Sequence, residues 1–200
     1  VTLTNLMLDT DIPRLYLIPA SLILSGAQVE LLSATDREFR LRNRLADLPE
    51  SFEFVIIDCP PSLNILTINA LTAATDVLIP IQSHYYSLEG MKELMGTIEI
   101  VREQWNPNLQ ILGILPTMID KRLTAGKEML TAIRNYFGDR VFQTVIHMNS
   151  KLSEAPASGK PIFLYDPRSK AATEYEALAR EMLQIISHTH GTLENHPVYI

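Results

Sequence analysis

The chain has 200 residues, of which 46% are apolar and 20% charged, the composition of a globular protein with a sizeable core. No run of about 18 apolar residues is present to span a bilayer, and the N-terminus lacks the basic-then-apolar pattern of a secretory signal. The one cysteine, Cys59, excludes a disulfide framework and any paired-cysteine metal or cluster site, so the expected setting is cytoplasmic.

In chain order, Leu15 to Ile18 reads as a strand stopped by Pro19. Ala20 to Leu32 and Asp36 to Leu48 read as helices, the second with Arg37, Arg40 and Arg44 along one stripe. Phe54 to Ile57 is a buried strand ending at Asp58, because Cys59-Pro60-Pro61-Ser62 cannot continue it. A helix over Asn64 to Ala74 and a strand over Val77 to Ile81 follow. Ser87 to Trp105 is a long helix, and Leu109 to Leu115 an almost wholly apolar strand. The spacing predicts a helix over Thr124 to Phe137, capped by Thr124 and ended by Gly138. A last strand spans Val141 to Ile146 and a final helix Ser169 to Ser187. Strands apolar on both faces, separated by helices, argue an α/β fold with a mostly parallel sheet covered on both sides. One domain is expected over 1–187. The tail 188–200 is polar and is expected to fray; its three histidines have no metal-ligand spacing.

The net charge of −6 is unevenly spread: Met118 to Lys170 holds nine basic and five acidic residues. Such a segment is either an ordinary solvated surface or a face for a polyanion. Asp58 is the strongest chemical signal. A carboxylate at the carboxyl end of a parallel strand stands where ligands bind in open α/β sheets, and it suits the water shell of Mg²⁺ on nucleotide phosphates. The plain alternative is an aspartate that caps the following turn.

Three further stretches widen the signal. Phe54 to Gly90 reads FVIIDCPPSLNILTINALTAATDVLIPIQSHYYSLEG, Leu112 to Arg122 reads LGILPTMIDKR, and Lys151 to Tyr175 reads KLSEAPASGKPIFLYDPRSKAATEY. With DIPRLYLIPASLILSGAQVELL (Asp11 to Leu32), these resemble the ParA/Soj family of chromosome- and plasmid-partitioning ATPases, MinD-like P-loop NTPases of the SIMIBI type, over about nine-tenths of the chain. The resemblance implies that Asp58 is the catalytic, Walker B-type aspartate near Mg²⁺ and the phosphates of ATP. It implies that Thr117 and Met118 line the base pocket, and that Asn149 and Pro156 lie in the loop closing over the base. Arg122 and Lys151 stand where the family places DNA-binding arginines. Lys151 keeps the charge without the planar fork, a loss that matters little for phosphate attraction. Lys121, Lys127, Lys160 and Lys170 are auxiliary candidates. The implied partners are nonspecific DNA, a ParB-like centromere-binding protein and a second copy in an ATP-dependent dimer, on the nucleoid in the cytoplasm.

The sequence departs from the family pattern. No K-G-G-x-G-K-[ST] loop is present: the eight glycines are scattered and none sits in a G-x-x-x-x-G-K pattern. The D-x-D-P-Q segment is absent as well. A chain lacking the family's N-terminal portion explains both, and such a chain by itself is expected not to hydrolyse ATP. Val1 fits either that reading or an alternative start codon. His147-Met148 replaces a usual Pro-Arg, and His84 a commonly acidic residue; both are expected to be hydrogen-bonded loop histidines. The alternative function is a non-catalytic module acting on an intact ParA-like paralogue. A MinD-like membrane attachment is disfavoured because the tail after Ser187 has no Lys or Arg. Cys59, standing alone, disfavours an iron–sulfur carrier.

Overall fold

The computed structural model describes residues 2–49, 51–82, 86–190 and 197–200. The chain divides into two compact units, one of Val1–Asp76, Leu94–Gln110 and Leu193–Ile200, the other of Val77–Glu93 and Ile111–Thr192.

The first unit opens with an antiparallel pair, β1 (Leu8–Asp9) and β2 (Tyr16–Leu17), in which Leu8 faces Leu17. The expected strand at 15–18 is thus present but short, and its apolar side chains are exposed. Helix α1 (Leu24–Leu32) begins four residues later than the sequence suggested, leaving Leu22 and Ile23 93% and 85% exposed. A 3₁₀ turn at Arg37–Phe39 runs into α2 (Arg40–Leu45), shorter than expected. The arginine stripe is spent locally: Arg37 pairs with Glu38, Arg40 donates to the Thr35 carbonyl, and Arg44 lies 3.9 Å from Asp47.

Strand β3 (Phe54–Val55) leads through the Pro60-Pro61 turn to α3 (Ile65–Ala73). Asn64 caps α3, its side-chain oxygen accepting from the backbone N–H groups of Leu66 and Thr67. Asn69, 4% exposed, accepts from the Leu41 N–H and donates to the Arg37 and Ile65 carbonyls, fastening α3 to the 37–41 segment. Asn106 likewise donates to the Leu71 and Ala74 carbonyls. Strand β6 (Val198–Tyr199) lies parallel to β3, with Phe54 opposite Val198 and Val55 opposite Tyr199. These residues of the expected fraying tail therefore sit in a sheet.

Strand β4 (Asp76–Gln82), helix α4 (Tyr86–Gln104) and strand β5 (Gln110–Thr117) match their expected positions, and β4 and β5 are neighbours in a sheet. Helix α5 (Thr124–Phe137) has the expected bounds, but Leu123 is its N-cap and no side chain caps it; Gly138 ends it at φ 58°. Two short helices, α6 (Ser150–Ala157) and α7 (Ile162–Tyr165), were not expected. Helix α8 (Lys170–His190) completes the unit and runs three residues past the expected end. Ser169 starts it, its hydroxyl accepting from the Ala172 N–H. Ile162 of α7 packs against Ala171 and Ala172 of α8, with Leu152 and Tyr165 beside them.

The expected strand at 141–146 is only bridged to its neighbours, Ile114 to Val141 and Ile119 to His147, both parallel. Phe142 and Ile146 donate to the Ile114 and Pro116 carbonyls. The intervening N–H groups turn to helix α8, where the Glu181 carboxylate accepts from Gln143 and Thr144. Side-chain acceptors replace the ladder there. Among the described residues, no helix is long and apolar enough to cross a membrane.

Candidate functional site

In the second unit, β5 delivers its chain to Thr117, after which Met118 takes a left-handed backbone at φ 54°. That bend turns the chain into Asp120, Lys121 and Arg122, which form one wall of a cleft of about 640 Å³. The opposite wall comes from His147, Met148, Asn149 and the first turn of α6, with Lys170 and Glu174 from α8 at the floor.

The polar wiring of this cleft is specific. The Asp120 carboxylate accepts from Arg122 three times: from Nε at 3.0 Å, from Nη2 at 2.8 Å and from the backbone N–H at 3.0 Å. First the Arg122 side chain and then its N–H hold the Asp120 carboxyl down, from 3.8 to about 2. Across the cleft, Glu174 receives the His147 backbone N–H at 2.9 Å and faces His147 Nδ1 at 2.6 Å. A proline at 147 could not donate that N–H, so the departure from the family pattern has a local use here. Lys121 stands beside Lys170, which lowers its pKa; Lys170 lies 3.8 Å from Glu174. Two ammonium groups side by side in the cleft lining favour an anion over a cation.

The residues expected from the sequence distribute unevenly. Arg122 and Asn149 line this cleft, whereas Thr117, Pro156 and Lys151 do not, and Met118 is 46% exposed next to it. Asn149 is not in a loop over a ligand: it is the N-cap of α6, its side chain accepting from the Lys151 N–H at 2.9 Å. Pro156 lies inside α6 and is exposed, which its place in the last turn makes tolerable only near a helix end. Lys151 is 2.8 Å from Glu154 and 5.9 Å from the Tyr165 ring, and the Glu154 carboxylate keeps its pKa high. The sequence reading missed Asp120 and Glu174. The Asp-x-Arg spacing could have signalled the first; nothing local signals the second. His84 lies outside the described residues.

In the first unit, only Phe54 and Val55 of the expected four-residue strand enter the ladder, and both are half-buried. Ile56 is 76% exposed, which corrects the expectation of a fully buried strand. Asp58 follows three residues past β3 and is exposed. The neighbouring Cys59 thiol is held above its usual range, first by desolvation within the turn and second by the Asp58 charge, so it is not an activated nucleophile. No cluster of three or more His, Cys, Asp or Glu suited to a metal occurs among the described residues. A Mg²⁺ at Asp58 would have one carboxylate and would draw its other ligands from water and phosphate, which is the habit of that ion.

Comparison with known proteins shows what the chain as a whole is similar to. A family profile described as an AAA domain matches residues 1–111. The sporulation initiation inhibitor protein Soj of Bacillus subtilis is 47% identical over 173 residues, which is 86% of this chain and 68% of Soj. The chromosome partitioning protein ParA of Myxococcus xanthus is 46% identical over 180 residues, 90% of this chain and 64% of that protein. Among solved structures, cobyrinic acid a,c-diamide synthase from Mycobacterium smegmatis, with bound ADP and magnesium, superposes at a TM-score of 0.78 with 32% identity, covering all of this chain and 72% of its own. The chain thus spans about two-thirds of the length of these relatives.

Proposed function

The chain belongs to the ParA/Soj family of partitioning ATPases, and from that premise we propose that it is the larger part of a protein that binds ATP and Mg²⁺, dimerises, and holds DNA without sequence preference until hydrolysis releases it. The observation that carries this reading is identity of 46–47% to Soj and ParA across most of the chain. Residues 1–187 would supply the ATPase domain, and a ParB-like centromere-binding protein would stimulate turnover. The P-loop strand, absent from this sequence, would have to come from a preceding segment.

Each assigned residue then has one task. Asp58 would hold the Mg²⁺ through its water shell, and the ion would supply charge that offsets the phosphates. Thr117 and Met118 at the end of β5 would line the base pocket, and Asn149 and Pro156 would approach the base from α6 rather than from a loop. Arg122, with Lys121 and Lys170 beside it, attracts phosphate along the cleft, and Lys151 adds charge from α6. The pairing of Arg122 with Asp120 is a restraint on that attraction, since the guanidinium fork is already spent on a carboxylate.

The test uses the full-length gene product with ATP. In a gel-shift titration, Arg122→Glu weakens DNA binding at least tenfold while labelled-ATP binding stays unchanged. Equal DNA affinity would remove Arg122 from the interface. Loss of ATP binding by this chain's parent with Asp58→Ala, at an unchanged fold, supports the assignment at β3; unaltered hydrolysis overturns it.

A further inference from the structure

Glu174 is the junction of the cleft. Its Oε2 accepts the His147 backbone N–H at 2.9 Å, and its Oε1 lies 2.6 Å from His147 Nδ1 and 3.8 Å from Lys170 Nζ. A carboxylate can only accept, so Nδ1 carries the hydrogen and donates it. The tautomer follows: in the neutral ring Nε2 is the bare nitrogen, and it is the atom that takes up a further proton. The His147 and Glu174 side chains are 16% and 12% exposed, so a charge gained there is little screened by water and is felt by its neighbours.

Among the described residues, the charged side chains that line the cleft with His147 come from two elements. The turn after β5 supplies Asp120, Lys121 and Arg122, and α8 supplies Lys170 and Glu174. Helix α6 adds Ser150 and Ser153, while its Lys151 and Glu154 face each other at 2.8 Å. Asp120 and Arg122 are already joined as a pair. Glu174 is left with His147 and Lys170 on one oxygen, and Lys121 stands beside Lys170. A proton on His147 changes that balance in two ways. It adds a cation to the lining, and it draws the charge of Oε1 toward the imidazolium and away from Lys170. Without an anion, the new charge meets two ammonium groups and is disfavoured. With a phosphate in the cleft, the three cations share a counter-charge, so proton and phosphate favour each other.

We propose that His147 is a proton-gated phosphate contact of this cleft: held by Glu174 through Nδ1, it takes a proton at Nε2 as a phosphate group of DNA enters beside Lys121 and Lys170. This rests on the reading of the cleft as a DNA-holding face. It adds to that reading a pH dependence which Arg122 and Lys151 cannot give, since a guanidinium and an ammonium stay charged through the range in which an imidazole titrates. The linkage is reciprocal: the factor by which the proton raises DNA affinity is the factor by which DNA raises the proton affinity of His147.

The test uses the full-length gene product with ATP and a short DNA duplex of arbitrary sequence, at constant salt. From about pH 8 to about pH 5.5, affinity is expected to rise at least threefold more for the unaltered protein than for His147→Asn. The asparagine amide replaces the Nδ1–H donor to Glu174 and cannot take a proton. An equal rise in both proteins overturns the proposal. So does a loss of affinity in the variant that is the same at both pH values, the mark of a merely structural His147. A second measurement needs no variant. In NMR of the protein with ¹³C-labelled histidine, DNA is expected to move the His147 titration midpoint up by at least about half a unit, the same threefold seen from the proton side. A midpoint that DNA leaves in place overturns the proposal even where the variant fails to fold. In each of these cases DNA is still bound, and the reading of the cleft stands. DNA bound at neither pH removes that reading, and the proposal with it.

Discussion

Asp120 and Thr72 show how differently two polar side chains are treated. The Asp120 carboxylate is held near pKa 2 by three hydrogen bonds from Arg122, against 3.8 for the free group. A depressed folded-state value contributes stability above the unfolded value and loses it as pH falls. The contribution is thus complete above about pH 4 and vanishes between about 4 and 2. A side-chain carbonyl NMR titration is expected to place the Asp120 midpoint at about 2; a midpoint at 3.8 would mean that Arg122 does not clamp it. Thr72, 1% exposed, buries a hydroxyl with no hydrogen-bond partner among the described residues. Thr72→Val keeps the shape and removes the unmet hydroxyl, so urea unfolding should show stability unchanged or raised by up to ~1 kcal/mol. Thr72→Ala, which leaves a gap, should lower it by about as much.

At the scale of elements, two contacts decide whether neighbouring pieces stay in place. Asn69 joins α3 to the 37–41 segment by three hydrogen bonds from a buried position, and Asn69→Ala strands the Leu41 N–H and the Arg37 carbonyl. The expected loss in urea unfolding is ~2–3 kcal/mol. Gly126, in the first turn of α5, leaves no room: a Cβ there would lie 2.6 Å from the Asp120 carbonyl oxygen. Backbone cannot swing aside as a side chain can, so Gly126→Ala should cost ~1–3 kcal/mol and shift the amide resonances of Asp120 and Arg122. Unmoved resonances would mean that α5 does not brace the cleft. What was legible from the sequence follows the same division. Helices α3, α4, α5 and α8 were readable because their apolar spacing and flanking Asn64, Gly138 and Ser169 are local signals. Helix α6 was not, since Pro156 argues against a helix, and with α6 unseen the Lys151–Glu154 spacing of three had no meaning. The 141–146 segment has a strand's composition, but the N–H groups of Gln143 and Thr144 are met by Glu181 from α8, a partner 37 to 38 residues away that no local pattern announces. For the same reason Asp58 was found by its strand signal, while the shortness of β3 and the exposure of Ile56 were not.

For the whole molecule, charge is the quantity that the proposed DNA binding must overcome. The chain carries −6, so DNA meets net repulsion, against which the basic segment from Met118 to Lys170 must supply attraction. Within that segment Arg122 and Lys151 each lie 2.8 Å from a carboxylate of their own chain and Lys170 lies 3.8 Å from Glu174, which leaves Lys121 and the more loosely paired Lys170 as the larger sources of unspent charge at the cleft. Two consequences follow for the full-length product. Binding should weaken steeply with salt, and the slope of log K against log salt should fall by about one for each of Lys121→Gln and Lys170→Gln, the effect of losing one phosphate contact. Asp120→Asn acts in the opposite direction: it removes one negative charge and releases the Arg122 fork, so DNA affinity should rise severalfold at low salt and the slope should steepen. If Asp120→Asn instead left both affinity and slope unaltered, Arg122 would face something other than the phosphate backbone, and the cleft would have to be read as a site for a smaller anion held by Lys121 and Lys170 alone.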